Sequence, residues 1–166
     1  MKQKNIKGFT LIELLVAMGL FLTVVVLASG TFIRVLRTER QTIDLIAIND
    51  NANIALEQMA REIRTGSDFS SSNSENLSFM SAAGKQVIYR FNADLGTIER
   101  SENGGVFESL TASNVLVAKA SLITSGLPND DDLPARITIV LSVASRSKNL
   151  EGIYTNLQTT ISPRFF

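Results

Sequence analysis

From Phe9 to Ile33 the chain carries a single charged residue, Glu13, within an otherwise apolar run. As a helix, Leu14 to Ile33 extends about 30 Å, one hydrocarbon thickness of a bilayer. A segment of this kind limits the architecture to a membrane anchor or export signal followed by whatever the remaining residues can fold into. The carboxylate is the anomaly, because an ionised side chain is unfavourable in hydrocarbon.

Two simple readings leave that anomaly in place. A secretory signal would use Lys2, Lys4 and Lys7 as its basic region and Ala28-Ser29-Gly30 as a cleavage mimic. The apolar run is about twice the usual length for such a signal, and an acid inside it is disfavoured. A plain anchor accounts for the length, but Arg34, Arg37 and Arg40 beyond the run match the three leading lysines. Charge bias therefore leaves its orientation open.

The residues Lys7-Gly8-Phe9-Thr10-Leu11-Ile12-Glu13 resemble the processing motif of type IV prepilins and of the pseudopilins of type II secretion. The resemblance implies removal of a basic leader by a cytoplasm-facing prepilin peptidase that cuts between Gly8 and Phe9. Lys7, Gly8 and Phe9 are then the processing residues, and Phe9 becomes the N-methylated terminus. It further implies an assembly charge pair, with Glu13 meeting the terminal amine of Phe9 on a neighbouring subunit. Unpaired buried charges cost several kcal/mol, so such a pair would select one axial register. A glycine at the cut admits close approach by a protease. Removing the leader's three lysines from the 16 basic residues leaves 13 against 16 acidic ones, a mildly acidic mature chain.

Implied partners are the prepilin peptidase/N-methyltransferase, other major and minor pilins or pseudopilins, the inner-membrane assembly platform and membrane lipid. The implied location is the cytoplasmic (inner) membrane, single-pass with the N-terminus inside. The globular part would then lie outside the cytoplasm, or in a periplasmic or cell-surface filament.

Composition narrows the remaining chemistry. At 166 residues there is room for one domain with a real core. The sequence has no Cys, His or Trp, which removes disulfides, His/Cys zinc sites and every nucleophile–histidine arrangement. Formal charge is zero, so there is no direct nucleic-acid signature. No phosphate-cradling glycine loop and no paired acids on one face appear. The expectation is a non-enzyme with no catalytic residues, no resident metal and no cofactor.

Past the apolar run, Leu45, Ile48, Ala52, Ala55, Met59 and Ile63 fall at spacings of three and four, an amphipathic stripe. The expected helix runs from Phe9 to Thr65, roughly 85 Å, with Gly66 as its stop. Ser29-Gly30 is where it would loosen; many type IV pilins carry a proline in this region, and this chain does not. Gly66 to Asn76 reads as a polar linker. The period then changes to two. Short strands are expected at Leu77–Met80, Gln86–Phe91, Thr97–Ser101 and Val106–Leu110, with turns at Asn92–Gly96 and Glu102–Gly105. Longer strands are expected at Val115–Thr124, Arg136–Ala144 and Tyr154–Ser162. The fold class is α+β, a long N-terminal helix packed on an antiparallel β-sheet domain, as in pilins. Its expected parts are a leader (1–8), an assembly half of the helix (9–33), an amphipathic half (34–65) and a β-rich domain (66–166).

Two loops invite a functional test. Asp130, Asp131 and Asp132 offer oxygen ligands of the kind calcium takes, but adjacent residues point apart, and a solvated turn is the better reading. Ser145 to Gly152 reads as a hairpin loop. Asn76-Leu77-Ser78 is a glycosylation sequon by letters only. The helix, the stretch Ala55 to Thr65, the short strands and the ending Asn156 to Arg164 resemble minor pilins or J-type minor pseudopilins. That implies a subunit that starts or caps a filament. The alternative is a membrane-anchored extracytoplasmic binding or adhesion module that never enters one.

Overall fold

The computed structural model describes residues 8–126, 135–147 and 150–164. The chain divides into two compact units, Met1–Thr42 and Ile43–Phe166. One helix, α1 (Leu11–Arg64), supplies all the regular structure described in the first unit and opens the second.

In the first unit every described residue of α1 is exposed, and an 18-residue window reaches a mean hydropathy of 2.7. By length and composition the helix can cross a membrane. Its threonines suit that setting. Thr23 and Thr31 donate their hydroxyls to the carbonyls of Gly19 (2.8 Å) and Leu27 (3.0 Å), so neither hydroxyl needs a partner from its surroundings. The loosening expected at Ser29-Gly30 is not observed: α1 is unbroken there. Without a proline no carbonyl is displaced, and Thr31 braces the same turn.

In the second unit the amphipathic stripe is realised. Ile48, Ala52, Ala55, Met59 and Ile63 are buried together with Leu56, while Leu45 is half-buried at the start of the stripe. The helix ends one residue before the expected position, and the Gly66 N–H donates to the Ile63 carbonyl at 3.1 Å. Glycine is needed at 66 for space. An added Cβ would lie 2.5 Å from the Phe79 ring and 3.1 Å from the Met80 carbonyl oxygen.

Among the described residues eight strands follow: β1 (Ser67–Asn73), β2 (Asn76–Met80), β3 (Gln86–Asn92), β4 (Thr97–Glu102), β5 (Glu108–Ser109), β6 (Val115–Ser125), β7 (Arg136–Ser145) and β8 (Tyr154–Ile161). They form two antiparallel sheets, β1-β2-β3-β4-β5 and β6-β7-β8. The architecture is therefore α+β, one long N-terminal helix followed by antiparallel sheets, consistent with a pilin-like fold. The inward faces carry Leu77, Phe79, Val87, Tyr89 and Ile98 from the first sheet and Val117, Leu122, Ile137, Ile139, Leu141 and Val143 from the second. All join one core with the buried helix stripe.

Three departures from the sequence reading have local causes. Residues expected as a polar linker form β1, an edge strand held by β2 through an irregular register, with Asp68 at φ 52°. The expected strand Val106–Leu110 shrinks to Glu108–Ser109, because Asn103 and Gly104 take positive φ in the preceding turn and Val106 projects 86% exposed. In β6 the register slips between Val117 and Lys119, leaving Ala118 and Lys119 both exposed before burial resumes at Ala120. The acidic loop Asp130–Asp132 lies outside the described residues. The hairpin expected at Ser145–Gly152 does join β7 to β8, and Leu150 within it is buried.

Candidate processing and assembly site

The residues singled out by the sequence lie where α1 begins. Lys7 falls outside the described residues. Gly8, Phe9 and Thr10 precede the helix, in neither helix nor strand, and Phe9 is 83% exposed. A Cβ placed on Gly8 would meet nothing within 4 Å, so its surroundings in this chain are open. The Gly8–Phe9 bond thus sits in accessible, non-helical backbone, the form a peptidase can engage.

Thr10 caps the helix, a role the sequence reading did not assign. The Glu13 N–H donates to Thr10 Oγ1 at 3.3 Å, and the Leu14 N–H donates to the Thr10 carbonyl at 3.2 Å. The signal was present as Thr-x-x-Glu ahead of an apolar run, a capping-box spacing. Glu13 therefore occupies the first turn, where the helix dipole favours a carboxylate. Phe9 and Glu13 are four residues apart, about one turn. In the intact chain the Phe9 nitrogen is an amide to Gly8 and carries no charge to pair with Glu13. Among the described residues no salt bridge engages Glu13.

The comparisons with known proteins bear on this same end. A family model for the prokaryotic N-terminal methylation motif matches residues 3–29. The chain carries the type IV prepilin signature. Together with the long N-terminal apolar helix it supports a type IV pilin-like protein anchored in a membrane, and the signature implies processing by prepilin peptidase and assembly with other pilins. No curated protein and no solved structure matches the chain significantly, so beyond residue 29 the chain is read from its own fold.

Elsewhere, among the described residues, two polar clusters on β3 and β4 are internally satisfied. On the core-facing side of β3 and β4, Tyr89 Oη donates to Glu62 Oε2 at 2.8 Å, and Arg100 Nε donates to the same oxygen at 3.1 Å. Arg100 also donates to Glu102 at 2.9 Å, and Lys85 closes the chain on Glu102. On the opposite face the buried Glu99 accepts from Arg90 (2.7 Å) and Asn92 (2.9 Å), while the Arg90 guanidinium lies 3.6 Å from the Phe107 ring centroid. An open groove beside it is lined by Ser70, Ser72, Asn76, Ser78, Ile88, Arg90 and Phe107. Its one charge is already committed, so it offers a ligand little beyond hydroxyls. The sequon lies inside β2, which is paired on both sides.

Proposed function

We propose that this protein is a minor pilin or pseudopilin subunit. Prepilin peptidase cuts Gly8 from Phe9, Phe9 is N-methylated, and the subunit starts or caps a type IV pilus or type II secretion pseudopilus. The observation that carries the reading is the methylation motif over residues 3–29 set directly on an exposed, membrane-length helix. In this reading residues 1–8 are the leader, 9–33 the membrane and assembly segment, 34–65 the amphipathic half of the helix, and 66–166 the extracytoplasmic domain.

The chemistry of assembly then follows from Glu13. After cleavage, Phe9 carries an amine about one helical turn from Glu13, so each subunit brings one charge of each sign into the membrane. In a filament, Glu13 of one subunit pairs with the amine of a neighbour. Mis-registered subunits leave both charges unpaired in an apolar core, which costs several kcal/mol as an order of magnitude. The pair acts as a registry device, and the globular domain needs no catalytic group.

Intact-mass and N-terminal analysis of the protein from its native membranes tests this reading. Loss of Met1 to Gly8 with one methyl added at Phe9 is the expected result. An uncut chain, or one cut near Ala28 to Gly30, overturns it in favour of an anchored or secreted module.

A further inference from the structure

We infer that Arg34, Arg37 and Arg40 form a binding site for the phosphate groups of anionic glycerophospholipids in the leaflet at the far end of the span from Glu13. The inference rests on the reading that the first part of α1 crosses the bilayer. It adds a defined lipid contact and names the residues that make it.

Position along the helix is the first argument. Arg34 is the first charged residue after Glu13. The 21 intervening steps put about 31 Å between them, the thickness of the hydrocarbon layer. Arg34 to Arg40 then covers about 9 Å, comparable to the headgroup layer of roughly 5–7 Å on each side. With the acid at one edge of the hydrocarbon, the three guanidiniums fall at the depth of the opposite phosphates.

Direction around the helix is the second. At about 100° per residue, Arg34, Arg37 and Arg40 occupy one sector roughly 120° wide. Glu39 projects about 160° away from Arg37, while Asp44, one turn beyond Arg40, shares the arginine side of the helix without closing a salt bridge to it. All three arginines are exposed, and no salt bridge joins them to a carboxylate among the described residues. Like charges three residues apart repel on a helix, and among the described residues the single acid on that side, Asp44, is one charge against three and makes no salt bridge with them. An anion seated among them would offset that repulsion.

The chemistry of the residue is the third. Guanidinium forks match phosphate oxygens two at a time, and a weakly hydrated cation on a long apolar stem suits a membrane interface. A bilayer supplies phosphates at this depth all around the helix, which commits the site to lipid before a free anion. The arginines would hold the subunit at one depth, and extraction into a filament would have to release those lipids.

The test uses processed, full-length protein, which has lost the leader lysines, reconstituted into phosphatidylcholine vesicles containing a minority of phosphatidylglycerol. Spin-labelled lipids report the relative association of phosphatidylglycerol and phosphatidylcholine with the protein, and flotation reports insertion. The expected result is an enrichment of phosphatidylglycerol of about fivefold that falls to near parity when Arg34→Gln, Arg37→Gln and Arg40→Gln are combined. The triple lysine variant should keep part of the preference, since charge survives without the fork. Equal enrichment in wild type and the glutamine variant, with both floating, overturns the site while leaving the membrane reading intact. Failure of the wild type to float overturns the membrane reading and the site with it. If the glutamine variant keeps its lipid preference but no longer enters filaments, the arginines serve carboxylates of a neighbouring subunit instead, and the lipid site is wrong.

Discussion

The Tyr89 hydroxyl, on a residue with no exposed surface, donates at 2.8 Å to the carboxylate of Glu62 two residues before the end of α1. Tyr89 sits in β3 directly opposite Arg100 of β4, and Arg100 reaches the same carboxylate oxygen. One glutamate thus ties the last turn of the helix to two adjacent strands. A buried hydroxyl without a partner would be costly, so this contact helps fix where the helix ends on the sheet.

Replacing Tyr89 with phenylalanine keeps the ring and removes only the donor. Hydrogen bonds to charged acceptors contribute about 1.5–3 kcal/mol, and Arg100 remains to serve Glu62, so a loss of about 1–2 kcal/mol is expected. Denaturant unfolding of the full chain in detergent checks it. Glu62→Gln should cost more than Tyr89→Phe, because it weakens both bonds to the carboxylate.

The same contact sets an alkaline limit. Burial, with the hydrogen bond to Glu62 and the charge of Glu62 adding to it, raises the Tyr89 hydroxyl far above the usual tyrosine range. The folded state therefore keeps a proton that the unfolded state releases above about pH 10. Stability from this group is fully present below that pH and is lost as pH rises beyond it, by up to about 1.4 kcal/mol per pH unit. Stability of wild type measured against Tyr89→Phe should hold a constant difference below pH 9 or so and narrow above about pH 10. A difference that stays flat across that range would mean the hydroxyl ionises in the folded protein.

Gly66 predicts a different kind of failure. An alanine methyl there would sit 2.5 Å from Phe79, whose ring is 1% exposed and stacked on Phe69 with centroids 5.5 Å apart. The ring has little room to retreat, so Gly66→Ala should cost about 1–3 kcal/mol through overpacking. Combining it with Phe79→Leu should cost less than the sum of the two changes. A strictly additive pair would point to backbone strain at 66 in place of the contact with the ring.

The parts of this fold that were legible in the sequence are those with a clear period. The helix stripe from Ile48 to Ile63 and the alternation Ile137, Ile139, Leu141, Val143 each match a buried face. β1 was not legible, since Ser-Asp-Phe-Ser-Ser-Ser-Asn buries no residue fully and owes its extended form to β2. The division into two sheets depends on pairing between distant strands and on the slip after Val117, neither of which leaves a local pattern. The Glu62–Tyr89 contact spans 27 residues and is equally silent. At the helix start the local signal was complete: Thr10 and Glu13 stand at capping distance in the sequence and are joined in the structure.

Glu13 gives the prediction closest to function. Its carboxylate lies in the first turn of α1, outside the Gly8–Phe9 bond and on the far side of the Thr10 cap. On the proposed reading, Glu13→Val should leave cleavage and methylation at Phe9 unchanged while removing the acid that a neighbour's amine would meet. An amine left without its partner in an apolar filament core costs several kcal/mol, enough to lower incorporation by a hundredfold or more as an order of magnitude. Mass analysis of the membrane fraction separates processing from assembly, and the amount of subunit in sheared filaments reads incorporation. Wild-type levels of the valine variant in filaments would mean that register is set elsewhere along the helix. Poor cleavage of the variant would instead place Glu13 in recognition by the peptidase.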